Sequence, residues 1–345
     1  MTELRGGLIG CGFFARNHLH AWRHVKGGNI VAVCDLDEGR ARACAGEFGI
    51  DRAYSDPAAM LERGELDFLD IVTQPATHRP LVELASRHGV NVICQKPLAP
   101  SLEDARAMVE ACRSAGVRLM VHENFRWQTP LRALKEAAAG LGDLFFARVS
   151  FRSAFDIYQA QPYLATDERF ILYDLGVHLL DLARFFTGEA RTLYCQTQRV
   201  NPRIRGEDVA TVTLEMASGA TCLVEMSYAS KLEEELFPQT LVHLEGSEGS
   251  ATLGPHYEIT VRDAGGVRRY AAPPKIFPWS SPPAETIQAS VVAIQQHWLD
   301  SLREGRDPET SGEDNLRTLE LVFASYRSAE TKELIRWGAS SGPSV

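Results

Sequence analysis

A glycine turn set between a strand and a helix, close to the N-terminus, constrains this chain more than any other feature. Residues 4–9 read as a short apolar strand, and Gly10-Cys11-Gly12-Phe13-Phe14-Ala15 follows directly and opens a helical stretch. The run fits G-x-G-x-x-G/A. Gly10 permits the tight turn, Gly12 lets the backbone approach a pyrophosphate, and Ala15 is small enough for close helix–strand packing. The helix N-terminus then offers unpaired N–H groups and a favourable dipole to phosphates. Phe13 and Phe14 lie on the same turn and join the residues expected to touch a dinucleotide.

Asp35 completes the signal at the end of a second strand over 30–35. It stands about 20 residues beyond Gly12, where a carboxylate accepts from the adenosine ribose hydroxyls and repels a 2′-phosphate. Leu36 and Asp37 follow it, which favours NAD over NADP. Arg40 and Arg42 are the nearby cations, and Arg40 is counted with the cofactor-binding residues.

Short apolar runs continue to alternate with helical stretches. Strands are expected over 68–73, 90–95 and 117–122, and helices over 37–48, 78–88 and 102–114. That alternation implies a parallel sheet with helices on both faces. The pattern changes near Glu123. A helix over 130–139, a strand over 144–152 and a helix over 172–187 precede strand-like runs joined by turn signals at Ala217-Ser218-Gly219, 246–249 and Gly265-Gly266, which read as an antiparallel sheet. Helices over 286–304 and 312–337 close the chain, with Thr310 or Ser311 as cap of the second. Residues 273–283 hold five prolines and one tryptophan and are expected to lie over a site. The tail from Ser340 is expected to be disordered. A chain of 345 residues is long for one core, so two domains are expected: a dinucleotide-binding domain over 1–123 and a substrate-binding and oligomerisation domain over 124–345.

Composition narrows the partners. A net charge of −9 argues against sequence-independent nucleic-acid binding. No apolar run approaches the roughly 18 residues needed to span a bilayer, and the N-terminus lacks a signal-peptide layout, so a cytoplasmic protein without membrane contact is expected. The seven cysteines form no C-x-x-C pair and read as reduced, mostly buried thiols, with no metal site.

Three motifs carry chemistry. Cys94-Gln95-Lys96-Pro97 stands at the carboxyl end of a parallel strand, just where open α/β sheets bind ligands. A lysine there can donate to a substrate hydroxyl and stabilise a developing alkoxide, although taken alone it is more often a solvated surface residue. Thr73-Gln74-Pro75-Ala76-Thr77-His78 also follows a strand end; Pro75 can wall a nicotinamide pocket, and His78 reads equally as a helix-start residue. On a helix, Asp174, His178 and Asp181 share a polar stripe beside Leu175, Leu179, Leu182 and Phe186. Asp174 and His178 are i,i+4 neighbours, a pairing that fixes the imidazole tautomer and raises its basicity; a capped helix with a satisfied histidine is the plain alternative. Gly176, costly inside a helix, points to close packing. Asn124 and Arg126, in Asn124-Phe125-Arg126-Trp127, and Asp156 and Tyr163 further on, are candidates for gripping a polyol, though packing explains them almost as well.

Together these residues resemble the glucose–fructose oxidoreductase / inositol dehydrogenase / rhizopine-catabolism (Gfo/Idh/MocA) family, with the motifs in the family's order over about the whole chain. The resemblance implies an α/β protein: an N-terminal Rossmann domain plus a C-terminal α+β domain with a large, mostly antiparallel open sheet through which copies pair. It implies catalytic roles for Lys96, Asp174 and His178, with these three also contacting substrate beside Asn124, Arg126, Asp156 and Tyr163. NAD contacts are implied for Gly10, Gly12, Phe13, Phe14, Asp35, Arg40, Thr73, Pro75, His78, Gln95 and Lys96, and a cis Lys96–Pro97 bond. One departure stands out: the family usually has Glu before Lys-Pro, and here it is Gln95. That removes a carboxylate neighbour of Lys96 and leaves the proton acceptor open between Lys96 and His178. The implied activity is NAD-dependent oxidation of a hydroxyl on a small sugar or polyol. Within the family, residues 10–14, 94–97, 122–127, 201–202 and 205–208 resemble bacterial enzymes that oxidise a branched furanose to its lactone. Inositol or another aldose is the alternative substrate, and a non-catalytic dinucleotide-binding regulator the alternative role.

Overall fold

The computed structural model describes residues 3–159 and 161–337; the tail from Ser340 lies outside them. By internal packing the chain falls into two units. The N-terminal unit holds the chain up to Trp127 together with Phe277–Ser280 and Gln288–Leu319, and the C-terminal unit holds Gln128–Ile276, Ser281–Ile287 and the chain from Glu320.

The N-terminal unit carries a six-stranded sheet in the order β3-β2-β1-β4-β5-β6, with every adjacent pair parallel. Its strands are β1 (Leu4–Ile9), β2 (Gly28–Cys34), β3 (Arg52–Tyr54), β4 (Phe68–Ile71), β5 (Asn91–Gln95) and β6 (Leu119–His122). The order reverses between β1 and β4, which places the carboxyl ends of those strands at the topological switch point where ligands bind. Helices α1 (Ala15–Trp22), α2 (Glu38–Phe48), α3 (Pro57–Gly64), α4 (His78–Arg87) and α5 (Leu102–Ala115) connect the strands. Asp37, Asp56 and Ser101 cap α2, α3 and α5 by accepting from backbone N–H groups.

The single cut at 123/124 read from the sequence differs from this packing. Most of α8 (Glu285–Glu304) and the start of α9 (Gly312–Thr331) belong to the N-terminal unit. Ile294, Trp298 and Leu299 of α8 share one buried cluster with Trp22, Phe68, Ile93 and Met120. The side of the parallel sheet that they cover has its partner more than 150 residues away in sequence, roughly a domain's length, and local patterning does not reveal it. The proline-rich stretch also contributes here: Trp279 stacks on His20 of α1, with ring centroids 5.2 Å apart.

The C-terminal unit is built on a nine-stranded sheet, β14-β13-β12-β11-β7-β10-β9-β8-β15. The strands are β7 (Leu144–Arg152), β8 (Ala190–Gln198), β9 (Val209–Met216), β10 (Thr221–Ser227), β11 (Leu241–Gly246), β12 (Gly249–Leu253), β13 (Glu258–Asp263), β14 (Gly266–Ala271) and β15 (Ile335–Arg336). Only β7 and β10 pair in parallel; the other adjacent pairs are antiparallel. The turn signals at Ala217-Ser218-Gly219, 246–249 and Gly265-Gly266 are the β9–β10, β11–β12 and β13–β14 hairpins. Helices α6 (Thr129–Ala138) and α7 (Val177–Thr187) pack on this sheet. The final helix stops at Thr331, six residues before the expected end at 337, because Lys332 turns left-handed at φ 62° and the chain re-enters the sheet as β15.

Candidate active site

The glycine turn has the form its sequence requires. Gly10 has φ +95°, and a Cβ there would stand 2.3 Å from the Val72 carbonyl oxygen. Around Gly12 no atom lies within 4 Å of the place a Cβ would occupy, leaving open space at the N-terminus of α1. Phe13 is 67% exposed on this turn and Phe14 is half-buried. Asp35 accepts from Cys11 N at 2.8 Å and from Asp37 N at 3.0 Å, so it ties the end of β2 to the glycine turn. A carboxylate has about four acceptor positions, which leaves capacity for ribose hydroxyls. Arg40 stands 3.6 Å from Asp35 and 3.9 Å from Asp37, and its charge is thus answered by two carboxylates. Open backbone at a helix N-terminus beside an acidic strand end fits NAD, and a 2′-phosphate would meet those two carboxylates.

Beyond β4, Pro75 opens a short 3₁₀ turn, Pro75–Thr77, whose Thr77 hydroxyl donates to Thr73 Oγ1 at 2.8 Å. His78 departs from the expectation of cofactor contact. Its ring is fully buried at the start of α4, with Nδ1 3.0 Å from the Leu98 carbonyl and Nε2 3.1 Å from the Thr73 carbonyl. Burial pushes its pKa below the ordinary value, against the pull of those carbonyls. The ring faces the Leu98 and Thr73 carbonyls and, fully buried, presents no surface to a ligand.

Gln95 ends β5, and Lys96 follows half-buried, in a cis bond to Pro97 as the family resemblance implied. Gln95 pairs with His122 of β6, so Lys96 and Glu123 leave neighbouring strands side by side. Glu123 is a residue the sequence reading passed over. Burial pushes its carboxyl up to about 7, while the charges of Lys96 and Arg126 pull the other way. Its neighbours in the motif turn elsewhere than expected. Asn124 Nδ2 donates to Ser290 Oγ at 2.6 Å, and Arg126 pairs with Asp314 at 2.9 Å, both side chains being buried. The 3₁₀ turn Asn124–Trp127 aims them at α8 and α9, so they pack this unit and do not stand open to substrate.

In the C-terminal unit, Asp174 and His178 do not sit on one regular α-helix. Leu172–Gly176 forms a π turn that runs into α7. Such turns are rare and concentrate at functional sites. Gly176 packs closely, as expected: a Cβ there would meet Met226 Sδ of β10 at 3.1 Å. His178 is buried and Asp174 half-buried. The third member of the expected stripe, Asp181, is fully buried 4.0 Å from Arg184 and serves the helix interior. The Tyr163 hydroxyl donates to Gln161 Oε1 at 2.6 Å. Burial first, and then the charges of Asp174 and Asp167, push its pKa up. Burial and Asp174 likewise raise Asp167 and Tyr228. Asp174 is therefore the negative centre of a group of hydroxyls and a carboxyl, of which Tyr228 and Asp167 were not read from the sequence. Asp156 is exposed and accepts from Gln159 at 3.2 Å.

Comparison with known proteins decides the family. The profile of the Gfo/Idh/MocA oxidoreductase family, NAD-binding Rossmann fold, matches residues 4–123, and that of the Gfo/Idh/MocA C-terminal domain matches residues 131–252. The chain belongs to the Gfo/Idh/MocA oxidoreductase family. Two relatives span nearly all of it. A D-apiose dehydrogenase of Paraburkholderia graminis is 55% identical over 95% of this chain and 88% of its own length. A D-apiose dehydrogenase of Rhizobium rhizogenes is 51% identical over 98% of this chain and 99% of its own. Among solved structures, an oxidoreductase from Agrobacterium radiobacter in complex with NAD+, L-tartaric acid and magnesium superposes with a TM-score of 0.96 at 50% identity, covering 97% of this chain and 98% of that one. As a Gfo/Idh/MocA oxidoreductase, this protein has a Rossmann unit that binds NAD, in keeping with the open backbone and Asp35 anchor of its glycine turn.

Proposed function

We propose that this protein is a D-apiose dehydrogenase, oxidising the anomeric hydroxyl of the furanose to the lactone with NAD. The near-full-length identity to two enzymes of that name carries the reading. Lys96, Asp174 and His178 supply the groups the reaction needs, and the Gly10–Gly12 turn, Asp35, Thr73 and Pro75 hold the cofactor. NAD, when bound, supplies the hydride acceptor. Lys96 donates to the substrate oxygen and stabilises the alkoxide that develops as the C–H bond gives up its hydride. His178 takes the hydroxyl proton, and Asp174 orients its ring and stabilises the imidazolium. Asp156 and Tyr163 contact the sugar hydroxyls.

The reading extends to the setting. A second copy is proposed to pair through the nine-stranded sheet of the C-terminal unit. Seven buried free thiols suit a reducing cytoplasm, and no helix among the described residues is long and apolar enough to cross a membrane. A panel of aldoses and cyclic polyols that includes D-apiose, read by NADH absorbance, tests the substrate. D-Apiose is expected to give the highest kcat/KM, and a clear preference for an inositol or a pyranose would replace it.

A further inference from the structure

Behind Lys96 runs a chain of buried polar groups that lies wholly within the N-terminal unit. Asp70 Oδ2 of β4 accepts from Trp22 Nε1 at 2.7 Å and stands 2.8 Å from His18 Nδ1. His18 Nε2 stands 3.1 Å from Gln95 Nε2. Gln95 Oε1 in turn accepts from the Lys96 backbone N–H at 2.7 Å. Asp70 and His18 are fully buried and Gln95 nearly so.

The donors fix the protonation of this chain. A backbone N–H can only donate, so the Gln95 atom facing Lys96 is the oxygen, and the amide has one orientation. Its NH₂ group then faces His18 Nε2, which must accept. The ring proton therefore sits on Nδ1 and is donated to Asp70. The result is a neutral imidazole in a single tautomer, held at both nitrogens.

We propose that Gln95 is a positioning residue for Lys96, its amide joining the neutral His18 to the lysine's main chain and fixing the strand end from which the ammonium works. The inference rests on the reading of Lys96 as the group that meets the substrate hydroxyl. A carboxylate at this position has no proton to offer His18 Nε2. It could bond there only by taking up one more proton, in a site that already holds the Asp70 charge. Other groups face the same ring. His122 of β6 lies 4.2 Å away between ring centroids, and Phe14 meets it edge-on at 5.4 Å. Gln295 of α8 donates to the His18 carbonyl at 3.4 Å. Cys94 neighbours Asp70, its thiol pushed up by burial and then by that carboxylate. Lys96 and Glu123 lie just past the strand ends.

Full-length, NAD-bound wild type, Gln95→Glu and Gln95→Met test the proposal. Nitrogen-15 spectra of the histidine side chains read His18 without turnover. Spectra are read from about pH 6 to about pH 9, and in wild type the ring proton is expected on Nδ1, with Nε2 accepting from the Gln95 amide. In Gln95→Glu the site takes up a proton at the acidic end and loses it as pH rises. The kcat of that variant relative to wild type then falls by about tenfold across the range, the scale of one lost buried hydrogen bond. Gln95→Met lowers kcat by a similar factor at every pH. A wild-type ring that carries its proton on Nε2 overturns the proposal. Normal wild-type turnover with a pH-flat Gln95→Glu ratio overturns it alone. Failure of the wild type to reduce NAD with any sugar removes the functional reading and this proposal with it.

Discussion

Asp35 holds the glycine turn through Cys11 N and Asp37 N and has acceptor capacity left for a ribose. Asp35→Ser is therefore expected to weaken NAD binding and to lower the preference for NAD over NADP, read from KM for each. An unchanged ratio removes Asp35 from the ribose. His178→Ala is expected to lower kcat by ~10²–10⁴, the usual worth of a general base, with NAD affinity unchanged. Near-wild-type turnover removes it from the mechanism. Glu123 makes a prediction about stability. Its carboxyl, raised from the ordinary 4.5 to about 7, holds its proton more tightly folded than unfolded. The stabilisation this gives is complete below about 4.5 and is lost as pH rises through about 7. Glu123→Gln removes that slope, so relative to wild type the variant is more stable at about pH 8 than at about pH 5 in urea unfolding. Equal differences at the two pH values contradict the assignment. The sequence showed the residue types here but not their directions. Glu123, Asn124 and Arg126 stand in one short run, and the 3₁₀ turn sends the last two into buried bonds with Ser290 and Asp314, which periodicity does not encode.

At the scale of elements, patterning worked where burial is local and regular. The strand over 144–152 and the three hairpin turns fell where alternation and glycines put them. It missed β3, only three residues long, and read one even helix where the π turn Leu172–Gly176 precedes α7. That turn depends on Gly176 meeting β10, whose Met226 lies far along the chain. In an ordinary helix interior, Gly→Ala stabilises by roughly 0.5–1 kcal/mol. Here a Cβ would stand 3.1 Å from Met226 Sδ, and Gly176→Ala is expected to destabilise by ~1–3 kcal/mol through overpacking, read by urea unfolding. A neutral or stabilising outcome shows that β10 does not constrain this turn.

For the whole molecule, domain membership does not follow chain order. Trp298 of α8, fully buried among Trp22, Phe68, Ile93 and Met120, completes the core of the N-terminal unit from the far end of the sequence. Trp298→Ala is expected to cost ~3–5 kcal/mol by the cavity it leaves, seen as a lower urea midpoint. The cofactor was legible in the glycine turn and Asp35 because backbone approach to a pyrophosphate demands particular residues at fixed spacing, and the family in their joint occurrence with Lys96 and the Asp174/His178 pair. Substrate was legible only through likeness to relatives, since it depends on loops with no spacing rule. The most direct test of the account is NADH formation from D-apiose and NAD by wild type and Lys96→Met under identical conditions. The account predicts robust turnover by wild type and a loss of at least about 100-fold in kcat/KM for the variant, with NAD still bound. No NADH from wild type, or a Lys96→Met enzyme as active as wild type, contradicts it.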